Sequence, residues 1–150
     1  MGDPKRKRKK YKKPRKLHDA ARIAEERELI KKYGLKNKRE IWKAEAKLRK
    51  IREQAKKLIL HPEKQEEFIE HLNKLGLVSK NATIDDVLAL TKEDILNRRL
   101  QTIVFKKKLA RTIKEARQLI VHKKIKINGA ACNVPGRIVS VKEEATITKE

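Results

Sequence analysis

The chain is short of cysteine, aromatic residues and long apolar runs, and each shortage excludes a class of protein. Its 150 residues include one cysteine, Cys132, which allows neither an intrachain disulfide nor a cysteine-based metal cluster. The four histidines lack the paired spacing of a metal site, so we predict no metal and no cofactor. No segment approaches the roughly 20 apolar residues that span a bilayer, and none resembles a signal peptide. The sequence therefore predicts a soluble, intracellular protein.

Positive charge is what the chain has in excess. Forty-two Lys or Arg residues against 20 Asp or Glu give a formal net charge of +22. Ten of the 13 residues from 4 to 16 are basic and almost none is apolar, so we expect residues 1–16 to form a disordered arm. Residues 63–97 have the opposite sign, with eight acids and four lysines, and are expected to face solvent or protein. A polyanion neutralises such a surplus most simply, and RNA is the expected partner.

The first helices are predicted from apolar stripes and from the residues that begin and end them. A weak stripe over residues 18–33 predicts a helix that ends at Gly34. Asn37 and Glu40 form a loose capping pair in front of a second, longer helix. The apolar positions of this second helix, spaced three and four apart, are Ile41, Ala44, Leu48, Ile51, Ala55 and Leu58.

Three further helices are predicted before the strongly basic C-terminal part. One begins at Pro62 and ends near Gly76, and a short one covers residues 83–90. Thr91 begins another, which continues through Val104 in a single apolar stripe. The basic side chains expected to project from its latter part are Arg98, Arg99, Lys106, Lys107 and Lys108.

Residues 98–142 hold thirteen Lys or Arg and one acid, Glu115, on what reads as a regular scaffold. Thr112 and Glu115 fit a capping box, which predicts a helix start. Asn128-Gly129 supplies the two positive-φ residues that a two-residue hairpin turn favours. Two more short strands are predicted after Pro135-Gly136, over residues 138–141 and 145–148.

Several groups of residues have a recognisable order and spacing. In the C-terminal part they are Arg99-Leu100-Gln101, Ala116-Arg117-Gln118-Leu119-Ile120, Ile125-Lys126-Ile127-Asn128-Gly129 and Val134-Pro135-Gly136. This part resembles the RNA-binding module named after small-subunit ribosomal protein S-four. The groups that resemble the archaeal and eukaryotic form of that protein are Gly2-Asp3-Pro4-Lys5-Arg6, Lys32-Tyr33-Gly34-Leu35-Lys36-Asn37-Lys38 and Ile41-Trp42-Lys43.

The resemblance covers nearly the whole chain and implies its architecture. The fold class is α+β, with a basic arm over residues 1–16, a helical rRNA-binding region over 17–90 and an S-four-type RNA-binding domain over 91–150. In that domain, helices pack on a small, mainly antiparallel sheet. Family members often have glycine where Lys108 and Lys123 stand, and the sequence leaves open whether these two turns are shaped differently here.

The resemblance also implies a function. The chain would be a structural constituent of the cytoplasmic small ribosomal subunit and not an enzyme. It would be a primary binder of 16S-type rRNA at a multi-helix junction of the 5′ domain, where it nucleates assembly and influences accuracy near the messenger entry path. Its partners would be this rRNA and neighbouring small-subunit proteins, with no membrane, no small-molecule substrate and no homo-oligomer.

The predicted RNA surface combines the arm, the long helix and the C-terminal module. Arginine can bind phosphate bidentately, so we prefer Arg to Lys as a contact, with structural ion pairing as the alternative. Trp42, Tyr33 and Phe105 are predicted to be core residues more than base-stacking platforms. The predicted rRNA-binding residues are Lys5, Arg6, Lys7, Arg8, Lys9, Lys10, Lys12, Lys13, Arg15, Lys43, Lys47, Lys50, Arg98, Arg99, Lys106, Lys107, Lys108, Arg111, Lys114, Arg117, Gln118, His122, Lys123, Lys124, Lys126 and Asn128.

Three other functions are left open by the sequence. An RNA-modifying enzyme could carry this module, although the basic helical half leaves no room for a catalytic domain. A quality-control factor would bind ribosomal RNA or peptidyl-transfer RNA and associate substoichiometrically with the large subunit. A DNA-packaging protein would bind duplex DNA as tightly as structured RNA at matched salt.

Overall fold

The computed structural model describes residue 2 and residues 9–150. Four of the predicted contacts, Lys5 to Arg8, and residues 1 and 3–8 of the predicted disordered arm lie outside the described residues. The helices are α1 Ala20–Tyr33, α2 Lys38–Leu58, α3 Gln65–Lys74, α4 Ile84–Ala89, α5 Lys92–Asn97, α6 Leu100–Lys106, α7 Ile113–Val121 and α8 Val141–Ala145, with a 3₁₀ turn at Pro62–Lys64 before α3. The strands are β1 Ile125–Ile127, β2 Ala130–Ala131 and β3 Thr148–Lys149.

Helix α1 begins and ends at the residues that physical chemistry favours. The Asp19 side chain accepts a hydrogen bond of 3.3 Å from the Arg22 backbone N–H at its start. Gly34 ends it in the left-handed conformation, with φ of +57°, which confirms the predicted stop. A Cβ atom at Gly34 would lie 2.8 Å from Cγ2 of Ile113, so this turn is also a close contact with α7. Glycine is required here twice, for its φ angle and for its size.

Helix α2 has the predicted apolar stripe but not the predicted cap. Ile41, Ala44, Leu48 and Ala55 are buried, and the remaining two stripe positions are half-buried. The Asn37 side chain makes no capping hydrogen bond. The predicted capping pair is therefore wrong, and the Glu40 carboxylate binds two arginines of the C-terminal module instead.

The helix predicted to run from Thr91 through Val104 is broken in two. The capping box of Thr91 begins α5 as expected, but Arg99 has an extended backbone and precedes α6. The break lets this segment pair with the chain that follows Pro135, because Arg99 forms an isolated antiparallel bridge with Ile138 and the Val139 N–H donates to the Arg98 carbonyl. The prediction that Arg98 and Arg99 project from a continuous helix is wrong, since Arg99 is only 6% exposed.

The predicted two-residue hairpin turn is confirmed. Asn128 and Gly129 have φ of +51° and +80°, and Ile127 pairs with Ala130 across the two-residue turn. β3 pairs antiparallel with the other edge of β1, which gives the sheet order β2-β1-β3. Together with the helices, this sheet confirms the α+β fold class.

The strands predicted over residues 138–141 and 145–148 are wrong. Residues 141–145 form α8, because Ser140 and Glu143 make a reciprocal capping box at its start. Ile138 pairs with Arg99 in an isolated bridge and not in a named strand, and the strand that follows α8 is limited to Thr148–Lys149.

The sequence left open the shape of the turns at Lys108 and Lys123, where family members often have glycine. Their φ angles are +57° and +61°, so both lysines adopt the left-handed conformation that glycine favours. Within the described residues the two turns therefore have the backbone conformation that glycine favours.

Among the described residues, two apolar clusters form the core. The first joins α1 to α5, and the second joins α6, α7 and the sheet. Ile113 and Ile138, from the C-terminal part, pack against the first cluster and so connect the two. None of the described helices is long and apolar enough to cross a membrane.

Candidate nucleic-acid interface

Helix α7 separates a packed face from a basic one. Ala116 and Ile120 are fully buried, whereas Lys114 and Gln118, four residues apart, are exposed. The Thr112 hydroxyl accepts a hydrogen bond of 3.1 Å from the Glu115 N–H at the start of the helix. The Glu115 carboxylate accepts a hydrogen bond of 2.7 Å from the backbone N–H of Arg111. In the predicted capping box it would accept from the backbone N–H of Thr112, the next residue. Glu115, the one acid of residues 98–142, thus binds the backbone just before α7.

Most of the predicted contacts are solvent-exposed on the described surface. In the C-terminal module they surround the two ends of α7 and the end of α6. The exposed residues of the predicted set are Lys9, Lys10, Lys12, Lys13, Arg15, Lys43, Lys47, Lys50, Lys106, Lys108, Arg111, Lys114, Gln118, His122, Lys123, Lys124 and Asn128.

A second group of predicted contacts is held by internal bonds. Arg98 Nη1 lies 2.8 Å from Glu144 Oε2, and Lys126 Nζ lies 2.8 Å from Glu150 Oε1. The Lys107 amine donates to the Glu144 backbone carbonyl. These side chains stabilise the packing around α8 and β3, which reduces their freedom to contact a ligand.

Arg99 and Arg117 share one carboxylate on α2. Arg99 Nη2 lies 2.5 Å from Glu40 Oε2, and Arg117 Nη2 lies 2.8 Å from Glu40 Oε1. Burial alone would raise the pKa of Glu40, but the hydrogen bonds from Arg117 and Arg99 outweigh it and lower the pKa below its ordinary value. Gln101 supports the arrangement, because its amide donates to the Gly34 carbonyl and its oxygen accepts from Arg117. The triad of Glu40, Arg99 and Arg117 joins the helical region to the C-terminal module.

Of the three aromatic residues predicted to be in the core, two pack within the protein and one is exposed. Tyr33 is 4% exposed and Trp42 donates its Nε1–H to Glu26 at 3.0 Å, so these two pack within the protein. Phe105 is 40% exposed, and its prediction as a core residue is wrong. The signal was present in the sequence, because Phe105 follows Leu100 by five positions and therefore lies off the apolar stripe of α6.

Glu40 is the functional residue that sequence reasoning missed. A carboxylate three positions after Asn37 reads as a local cap, and nothing near it in the chain indicates a distant partner. Charge-assisted bonds to two guanidinium groups are stronger than one bond to a backbone N–H, so the distant partners prevail. The described part of the chain holds no group of three or more His, Cys, Asp or Glu residues placed to bind a metal ion.

Comparison with known proteins agrees with this geometry. A family model described as the S4 domain matches residues 98–144, which are the segment of α6, α7, the hairpin and α8. The chain therefore has an S4 domain that follows an N-terminal helical region. Small ribosomal subunit protein uS4 of Thermoplasma acidophilum is 51% identical over 100% of this chain and 79% of its own length. The uS4 protein of Saccharolobus solfataricus is 49% identical over 98% of this chain and 84% of its own.

At this identity and coverage the chain belongs to the small ribosomal subunit protein uS4 family. The predicted resemblance to the archaeal form of that family is confirmed. The family consists of ribosomal proteins, which confirms the prediction that the chain is a small-subunit ribosomal protein and not an enzyme.

Proposed function

We propose that this protein is a primary binder of small-subunit rRNA, that it recognises a multi-helix junction of the 5′ domain, and that it nucleates assembly of the subunit body. The observation that carries the proposal is the set of exposed cations around α7, most of which no described carboxylate neutralises. A rigid scaffold holds them at fixed spacing, which favours one folded RNA over a flexible strand.

Shape and backbone contacts are the proposed mode of recognition. A-form RNA hides the base edges of its deep major groove, so a protein of this kind contacts phosphates and 2′-hydroxyl groups. The cations around α7 supply one surface, and Lys43, Lys47 and Lys50 on α2 supply another. Two surfaces at a fixed angle match a junction better than a single helix, because a junction presents several backbones in different directions.

We place the protein in the cytoplasmic small subunit beside other ribosomal proteins, close to the path by which the messenger enters. There it would influence decoding accuracy, and it would act as one copy per particle. The exposed acids of α3 and the turn before it, Glu63, Glu66, Glu67 and Glu70, are the surface that we assign to protein neighbours rather than to RNA.

Filter binding at graded salt tests the RNA proposal. A transcript of an archaeal small-subunit rRNA 5′ domain should bind more tightly than an unstructured RNA or duplex DNA of equal length. If about eight phosphates are neutralised, log affinity should fall against log salt with a slope near −7. Equal affinity for all three nucleic acids, or a slope near zero, would contradict the proposal.

A truncation lacking residues 1–16 tests the role of the basic arm. The truncated protein should bind the same transcript more weakly and with a flatter salt slope, because ten of the deleted residues are cations. The melting curve of the free protein should change little. A large loss of folding stability would show that the arm is part of the folded core instead.

A further inference from the structure

A cleft lies between α2 and the loop of Val134, Pro135 and Gly136. Its volume is about 430 Å³, and the edges of α5 and α7 complete its walls. The charged residues that line it, among those the structure describes, are Lys10, Lys43, Lys47, Arg99, Arg117 and Glu40. Five cations thus surround one carboxylate.

The carboxylate does not neutralise the lysines. Glu40 is bound on both oxygens by the two arginines, so its charge is already shared between them. The ion pairs formed within the described residues include none of Lys10, Lys43 and Lys47. The cleft therefore keeps a strong local surplus of positive charge.

Two further observations show that this surplus is costly to the free protein. The Arg99 guanidinium is almost completely buried, and its Nη1 has no hydrogen-bond partner within the described structure. Desolvation, together with the neighbouring charges of Arg99, Lys10 and Lys43, lowers the pKa of Lys47. Crowded cations of this kind are stabilised when an anion binds between them.

We propose that this cleft binds one phosphodiester group of the RNA, held by Lys43 and Lys47 in front of the Arg99 guanidinium. The ribose beside that phosphate packs against the apolar wall formed by Val134, which is 53% exposed, and Pro135. This inference rests on the function proposed above and assigns a ligand to the seam between the helical region and the S4 domain. A phosphate at this seam contacts both parts at once, so RNA binding reinforces their relative orientation.

A pair of matched double variants tests the site. Lys43→Gln with Lys47→Gln removes two charges from the cleft, and Lys31→Gln with Lys56→Gln removes two from exposed helical positions that do not line it. With the 5′-domain transcript at 0.15 M salt, we expect the cleft variant to bind at least about 10-fold more weakly than the wild type. The control should lose no more than about 3-fold, because it changes only the long-range charge. Equal losses in the two variants would overturn the site.

Ethylation interference locates the phosphate. The transcript is lightly ethylated on its phosphates, and bound and free fractions are compared for each protein. A position at which ethylation weakens binding to the wild type and to the control, but not to the cleft variant, is the phosphate held in the cleft. Identical interference patterns for all three proteins would overturn the proposal.

The site and the proposed function can fail separately. If the wild type shows no preference for the transcript, the rRNA proposal fails. The cleft is then tested on the free protein: its lysines are ¹³C-methylated, and their NMR signals are followed as inorganic phosphate is added. Signals of Lys43 and Lys47, identified by their loss in single Gln variants, should shift before those of Lys31 and Lys56. Uniform shifts across all four lysines would overturn the cleft as an anion site.

Discussion

Replacing Glu40 with Gln is the perturbation that tests most directly how the two parts of this protein are joined. The change keeps the shape of the side chain and one acceptor oxygen but removes the charge that Arg99 and Arg117 share. It therefore leaves a buried guanidinium group without its counter-charge. The partners lie 59 and 77 residues away in the sequence, so the loss falls on long-range packing rather than on the helix itself.

The exposed fractions of the three side chains determine how much stability the Glu40→Gln variant should lose. Removing one member of a fully buried pair costs about 3–5 kcal/mol, whereas an exposed pair is worth about 0–1 kcal/mol. Glu40, Arg99 and Arg117 are 16%, 8% and 23% exposed, which places the triad between these limits and nearer the first. Because Gln keeps an acceptor, we expect a loss of about 2 kcal/mol in the free energy of unfolding. For a chain of this length that corresponds to roughly 4–8 °C in melting temperature.

Urea titration of the purified protein measures this loss, and pH supplies a second readout. The folded pKa of Glu40 is lowered, so its contribution is complete above the unfolded pKa near 4.3 and disappears as the pH falls through the folded value. The difference between wild type and variant should stay constant from about pH 7 to 5 and shrink below about pH 4.5. Glu53→Gln, at an exposed position of the same helix, should change stability by less than about 0.5 kcal/mol. If Glu40→Gln were no worse than this control, the triad would not join the two parts.

Four substitutions test the local geometry by urea unfolding. Gly34→Ala should cost about 3 kcal/mol, because the added Cβ meets Ile113 at 2.8 Å at a positive φ, whereas Gly129→Ala, with open space around it, should cost about 1. Lys108→Gly should stabilise the fold by about 0.5–1 kcal/mol by relieving a left-handed lysine; a loss would contradict this. Ser140→Ala should cost about 1 kcal/mol by removing the cap of α8, and no change would show that the cap is unimportant.

Local chemistry explains the part of the fold that the sequence predicted. The end of α1 at Gly34, the stripe of α2 and the turn at Asn128-Gly129 each depend on neighbours within a few residues. α8 was equally predictable, because Ser140 is followed by Glu143 in the same spacing as other caps in this chain. The apolar residues on either side of it favoured strands, and a helix of five residues is too short to show a helical period.

Contacts between distant segments explain what the sequence did not predict. The break between α5 and α6 is set by pairing of Arg99 with Ile138, about forty residues later, and no feature of the local stripe indicates it. The role of Glu40 has the same origin. For the candidate interface, the sequence predicted the kind of charge and its region, but not which cations internal carboxylates would occupy.

That division of cations follows side-chain type, and it changes the expected character of the interface. Among residues 98–142, four of the five arginines pair with glutamates in the described structure, namely Arg98, Arg99, Arg117 and Arg137. Of the eight lysines only Lys126 does so. The planar, weakly hydrated guanidinium group suits buried bidentate pairing, whereas the strongly hydrated ammonium group stays at the surface. The sequence favoured arginine as the RNA contact, but the geometry leaves mainly lysine exposed. Point charges of that kind bind phosphates without reading bases, so selectivity for one RNA must come from the rigid spacing of the lysines.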